Sequence, residues 1–129
     1  MKILVIDDDD FVRMLTRVSL SKVGGMDVTE ASSGAEGLLA AAQDRPDVIL
    51  LDVMMPGMDG PTTFVALQAN ASTAGIPVIF LTAKAMPAEQ ARLSELGAIA
   101  VFTKPFDPLA LANDVRRVMD APRKTTDHA

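Results

Sequence analysis

The segment Val48-Ile49-Leu50-Leu51 is apolar without a break and stops at Asp52. A strand with one face in water alternates apolar and polar residues. An unbroken run needs cover on both faces, the setting of a parallel sheet wrapped by helices. The rest of the chain supplies that setting. Strands are predicted over 2–7, 26–31, 47–52, 76–81 and 99–103, with helical patterns between them. The first helix starts near Asp9 or Asp10, places Phe11, Leu15 and Val18 on one face and ends at Gly24-Gly25. Ser33 and Glu36 have the spacing of a capping box, opening a helix that runs to about Asp44. A third helix follows the loop 54–60 and reaches about Ala71. A fourth spans about 87–96 and stops at Gly97. Asp107 and Pro108 read as N-cap and first residue of the last helix, with Leu111, Val115 and Val118 on one face. Five strands alternating with five helices give an α/β fold with right-handed crossovers.

The chain has 129 residues, 49% of them hydrophobic, which suits one domain with a core that needs no staples. It has no cysteine, which excludes disulfides and thiolate metal sites. Its one histidine, His128, stands next to the C-terminus, so a histidine zinc site or a Ser-His-Asp triad inside the fold is excluded. The net charge of −5 and the lack of a basic stripe argue against a nucleic-acid partner. No apolar stretch is long enough to span a membrane, and no signal peptide precedes the first strand. The chain reads as soluble and cytoplasmic. The polar tail from Ala121 carries no periodicity and is expected to be disordered.

Four consecutive aspartates, Asp7 to Asp10, follow the apolar run Ile3-Leu4-Val5-Ile6. Like charges so close repel, and a fold gains little from them alone. Mg²⁺ prefers oxygen ligands, and carboxylates at a strand end suit it. Aspartate is also favoured at the N-cap and in the first turn of a helix. The run by itself leaves both readings open.

In a parallel α/β sheet, ligands bind beyond the carboxyl ends of the strands. Asp7 and Asp8 close the first strand, Asp52 the third and Thr82 the fourth, and Lys104 follows the fifth. Singly, each has a plain structural role. Together they are three carboxylates, a hydroxyl and an ammonium on one edge. Mg²⁺ and Lys104 can neutralise the acids, and a phosphoryl group fits the space left, with Asp52 as the in-line nucleophile. Lys104-Pro105 is a candidate cis peptide that would turn Lys104 into the site.

In one register, Ile3-Leu4-Val5-Ile6-Asp7-Asp8, the run from Asp52 to Gly60, Leu81-Thr82-Ala83 and Lys104-Pro105-Phe106 resemble the receiver domain of two-component response regulators. The resemblance covers roughly 1–119, and the ordered set is highly specific. It implies a receiver domain over 1–120 and a tail over 121–129. The fold would be flavodoxin-like, a doubly wound five-stranded parallel sheet in order 2-1-3-4-5. Asp52 would be the phosphoacceptor, fed by a sensor histidine kinase or a histidine phosphotransfer protein. Asp8, Asp52 and the Met54 carbonyl would ligate Mg²⁺, with Asp7 acting mostly through water. Thr82 and Lys104 would hold the phosphoryl group, and the small Ala83 would leave access to Asp52. Such a domain promotes its own phosphorylation and dephosphorylation, and signals to a downstream protein whose identity the sequence does not give.

Three positions depart from or vary within the pattern. Three residues before the lysine the family usually has Tyr or Phe, and this chain has Val101. Phe102 beside it should face the other side of the sheet. The positions that tune phosphoryl lifetime in the family hold Met54 and Lys84. The leading reading is a stand-alone switch, or a receiver excised from a longer protein. Two alternatives compete. One is a haloacid-dehalogenase-type phosphohydrolase with Asp7 as nucleophile, suggested by Asp7-x-Asp9 but opposed by Phe11 and the lack of a cap domain. The other is a phosphorylation-independent binding module that keeps only the receiver fold.

Overall fold

The structure, a computed structural model, describes residues 1–121. Five strands form one sheet: β1 Lys2–Ile6, β2 Asp27–Ala31, β3 Val48–Asp52, β4 Val78–Thr82 and β5 Ala100–Thr103. Five helices connect or follow them: α1 Asp10–Val18, α2 Gly34–Asp44, α3 Gly60–Ala69, α4 Pro87–Leu96 and α5 Leu111–Asp120. All neighbouring strands are parallel and the spatial order is β2-β1-β3-β4-β5. This is the expected flavodoxin-like arrangement. The tail over 122–129, with His128, lies outside the described residues.

Side chains alternate along each strand, so the central strands feed two cores. Leu4, Ile6, Ile49, Leu51, Val78 and Phe80 meet Ala41 of α2, Phe64 and Leu67 of α3, and Leu93 of α4. Ile3, Val5, Leu50, Ile79 and Leu81 meet Leu20 and the α5 residues Leu111, Ala112 and Val115. β3 is buried at all five positions, which explains its unbroken apolar sequence. On β5, Val101 packs into the first core and Phe102 into the second, so they point to opposite faces as expected.

Two helix expectations need correction. The side of α1 bearing Phe11, Leu15 and Val18 is not the buried one: Phe11 is 65% exposed, and the fully buried positions here are Thr16, Ser19 and Leu20. Two of these are polar, which conceals the core face. Thr16 Oγ1 donates to Val12 O at 2.7 Å and Ser19 Oγ donates to Pro108 O at 2.5 Å, so each hydroxyl is satisfied when buried. The helix also ends in a π-helical segment, Ser19–Val23, before Gly24. At the other end of the chain, Asp107 does not cap α5. It closes a preceding turn, accepting Leu109 N–H on Oδ1 and Ala110 and Leu111 N–H on its carbonyl, and α5 proper begins at Leu111. Its face of Leu111, Val115 and Val118 does meet the core.

The capping box of α2 is present in shifted form. Ser33 Oγ accepts Glu36 N–H at 3.1 Å, while the Glu36 carboxylate reaches back to Ser32 N–H. Asp59 caps α3 through Thr62 N–H, which holds its carboxyl below the usual carboxylate range. Gly60 then starts α3 against the end of β3, where a Cβ would lie 2.4 Å from Asp52 O and 2.8 Å from Val53 Cα. Only glycine permits that approach, which seats α3 directly beside the last residue of β3.

Candidate functional site

The register of β1 on β3 pairs Ile6 with Leu51. One residue further, Asp7 and Asp52 therefore emerge side by side at the carboxyl edge of the sheet. Both are buried, with 1% and 4% of their surface exposed. Asp8 follows in the loop and is exposed. One carboxylate oxygen from each of Asp7, Asp8 and Asp52 lies within 4.8 Å of the others.

Lys104 enters from the residue after β5. Its Nζ donates to Asp52 Oδ1 at 2.9 Å and to Asp7 Oδ2 at 3.1 Å. The Lys104-Pro105 peptide is cis. Burial alone would lower the Lys104 pKa, but its hydrogen bond to Asp52 and the charges of Asp7 and Asp52 outweigh that and push it up. Asp52 is pushed up to about 6, chiefly by burial and further by the charges of Asp7 and Asp8, while Lys104 pulls it back. At neutral pH Asp52 is therefore mostly ionised and lightly solvated.

The four consecutive aspartates divide their work. Asp7 and Asp8 join the cluster. Asp9 is the N-cap of α1, accepting Phe11 N–H at 2.9 Å and Val12 N–H at 3.1 Å. Asp10 pairs with Arg13 at 2.7 Å. Asp7 has both carboxylate oxygens engaged, Oδ1 by Asp9 N–H at 3.0 Å and Oδ2 by Lys104. For Asp52, among the described residues, only Oδ1 receives a hydrogen bond. The oxygen left open belongs to Asp52, which is unfavourable to Asp7 as a nucleophile.

Thr82 ends β4, one residue past the Asp52–Leu81 pair, and is buried. Its Oγ1 accepts Lys84 N–H at 3.0 Å, which leaves the hydroxyl proton free to be donated elsewhere. Ala83 and Met54 are exposed around the site. Ala83 also borders an apolar cleft of about 340 Å³ with Phe11, Leu15, Phe106 and Lys104. Val101 stands lower on β5, partly buried and packed against the first core.

The donor set suits a hard divalent cation. It is all carboxylate oxygen, drawn within 4.8 Å, and Lys104 offsets only one of its three charges. The sequence reading did not single out Arg13 or Glu30. Arg13 Nη1 donates to Asp7 O at 2.8 Å, and its Nε donates to Glu30 Oε1 at 3.2 Å. The Asp10–Arg13 spacing of three on a helix was the available signal.

Residues 3–116 match the family model of the response regulator receiver domain. The chain is 37% identical over 118 residues to the DNA-binding dual master transcriptional regulator RpaA of Synechocystis, covering 92% of this chain and 48% of that protein. It thus spans about half the length of the first curated relatives it matches. It is 32% identical to protein PilH of Pseudomonas aeruginosa, covering 97% of that protein. The solved structure of the chemotaxis response regulator CheY4 of Vibrio cholerae superposes with a TM-score of 0.83 at 32% identity, covering 91% of this chain and 97% of that one. With three carboxylates and a lysine gathered beyond the strand ends, and a family match across nearly all the described residues, the chain belongs to the response regulator receiver domains of two-component systems.

Proposed function

We propose that residues 1–120 act as a phosphoacceptor switch in which Asp52 takes a phosphoryl group from a phosphohistidine donor. The observation that carries this is Asp52 itself: buried at the end of β3, with one oxygen on Lys104 and the other open. In the transfer, an Asp52 oxygen attacks phosphorus in line. An O–P bond forms and the P–N bond breaks. The electron pair of that bond leaves on the imidazole nitrogen, which takes up a proton. Thr82 donates its free hydroxyl proton to a phosphoryl oxygen, and Lys104 shifts from Asp52 toward another. Exposed Ala83 leaves the approach open. Asp8, Asp52 and the Met54 carbonyl hold Mg²⁺ with Asp7 close by; the ion supplies positive charge for the phosphoryl oxygens.

The donor is a sensor histidine kinase or a histidine phosphotransfer protein, and the phosphorylated form signals to a downstream protein in the cytoplasm. Val101 in place of an aromatic residue makes coupling through Thr82 weaker or different on the α4–β5–α5 side. Incubation with a small-molecule phosphodonor and Mg²⁺, followed by intact-mass measurement, tests the reading. A labile gain of one phosphoryl group is expected, absent in Asp52→Asn and absent without Mg²⁺. Labelling lost in Asp7→Asn but kept in Asp52→Asn would favour the hydrolase. No labelling in any condition would leave a binding module that works unmodified.

A further inference from the structure

The Asp7–Asp10 run would repel itself out of shape unless something held its main chain. Within this run Lys104 bonds only to the Asp7 side chain and not to the main chain. Arg13, one turn into α1, grips the run from the other side. Its Nη1 donates to the Asp7 carbonyl at 2.8 Å and its Nη2 to Asp10 Oδ1 at 2.7 Å. Its Nε donates to Glu30 Oε1 on β2 at 3.2 Å, and Arg17 Nε meets the other oxygen, Glu30 Oε2, at 2.9 Å. The Arg13 side chain is 17% exposed, and all three kinds of guanidinium nitrogen are engaged at once. A planar fork with fixed donor directions can set a carbonyl and two carboxylates in one geometry; a lysine ammonium cannot.

From this the geometry points to Arg13 as a positioning residue for the cation site, locking the Asp7 main chain so that the Asp7 and Asp8 carboxylates face Asp52, with Glu30 orienting Arg13. The inference rests on the Mg²⁺ reading above. It has a sign that charge alone does not give. Arg13 is a cation beside a cation site, so by Coulomb's law its removal should tighten Mg²⁺ binding. If Arg13 positions the acids, its removal weakens binding. Groups that orient metal ligands from outside commonly matter by about 10- to 100-fold in affinity.

The test is calorimetric titration of the whole chain with MgCl₂ for the wild type, Arg13→Gln, Arg13→Lys and Glu30→Gln, with thermal melts in chelator to show that each variant folds. The expected result is a Kd raised about tenfold in Arg13→Gln, nearly as much in Arg13→Lys, and less in Glu30→Gln. Labelling by a small phosphodonor should then need more Mg²⁺ to reach half of its own maximum. Arg13→Gln binding Mg²⁺ as tightly as wild type, or more tightly, overturns the positioning role, as does full rescue by lysine. Should Arg13→Gln melt before titration is possible, Arg13→Lys and Glu30→Gln carry the comparison. Wild-type protein that binds no Mg²⁺ would instead sink the cation site itself.

Discussion

Asp52 carries a conflict between solvation and chemistry. Burial lifts its pKa from 3.8 to about 6, so the folded chain holds this proton more tightly than the unfolded chain. The stabilisation from that proton is complete below about pH 4 and is lost as pH rises through about 6. Metal-free protein is expected to give up roughly 2 kcal/mol by this route between pH 4 and pH 7. Asp52→Asn should lack that component, and urea denaturation in chelator at both pH values measures the difference. Equal slopes in the two proteins would remove Asp52 as its source. Asp8 makes a related case. It is exposed and lies within 4.8 Å of two other acids, so Asp8→Ala should stabilise the metal-free fold by roughly 1 kcal/mol while abolishing phosphorylation. A destabilised Asp8→Ala would point to a structural role for this side chain instead. Asp7, Asp52 and Lys104 are legible in sequence because each stands where an apolar strand stops. For Arg13 the spacing to Asp10 announces only a helix ion pair; its bond to Glu30 depends on α1 packing against β2, which the sequence does not show.

The strands were legible because a parallel sheet covered on both faces writes itself as unbroken apolar runs, as in Val48–Asp52. The inward side of α1 was not legible. A reader follows large apolar residues, yet Phe11 lines a cleft with Ala83, Lys104 and Phe106 at the sheet edge, and Thr16 and Ser19 take the buried side by bonding backbone carbonyls. Asp107 misled for a comparable reason: Asp-Pro suits a tight turn as well as a helix start. The seat of α3 makes a prediction at this scale. Gly60→Ala would push a Cβ onto the Asp52 carbonyl and Val53 Cα, backbone atoms of a buried strand that cannot give way. The cost is expected to be about 3 kcal/mol, with reduced Mg²⁺ affinity because the end of β3 must shift. Chemical denaturation and metal titration of this variant check both effects. Unchanged stability would mean that α3 is free to retreat from the strand.

For the molecule as a whole, a cation that binds only the assembled cluster stabilises everything that assembles it. At a hundredfold excess over its Kd, Mg²⁺ should add about 2.7 kcal/mol and raise Tm by on the order of 10 °C. Differential scanning calorimetry with and without MgCl₂ reads this directly, and Asp8→Ala and Asp52→Asn should show little shift. A wild-type Tm indifferent to millimolar Mg²⁺ would count against the ion. Among the described residues, no helix is long and apolar enough to cross a membrane.

The ion pair between Lys104 and Asp7 closes a loop of 97 residues, and β5, which delivers the lysine, is an outer strand of the sheet. A chain leaving the ribosome therefore presents its three acids long before it can present the ammonium that answers them. An incomplete molecule, whether nascent, truncated or with β5 locally unfolded, has the three carboxylates without their counter-charge. The charge balance of the cluster is thus completed only when the last strand docks.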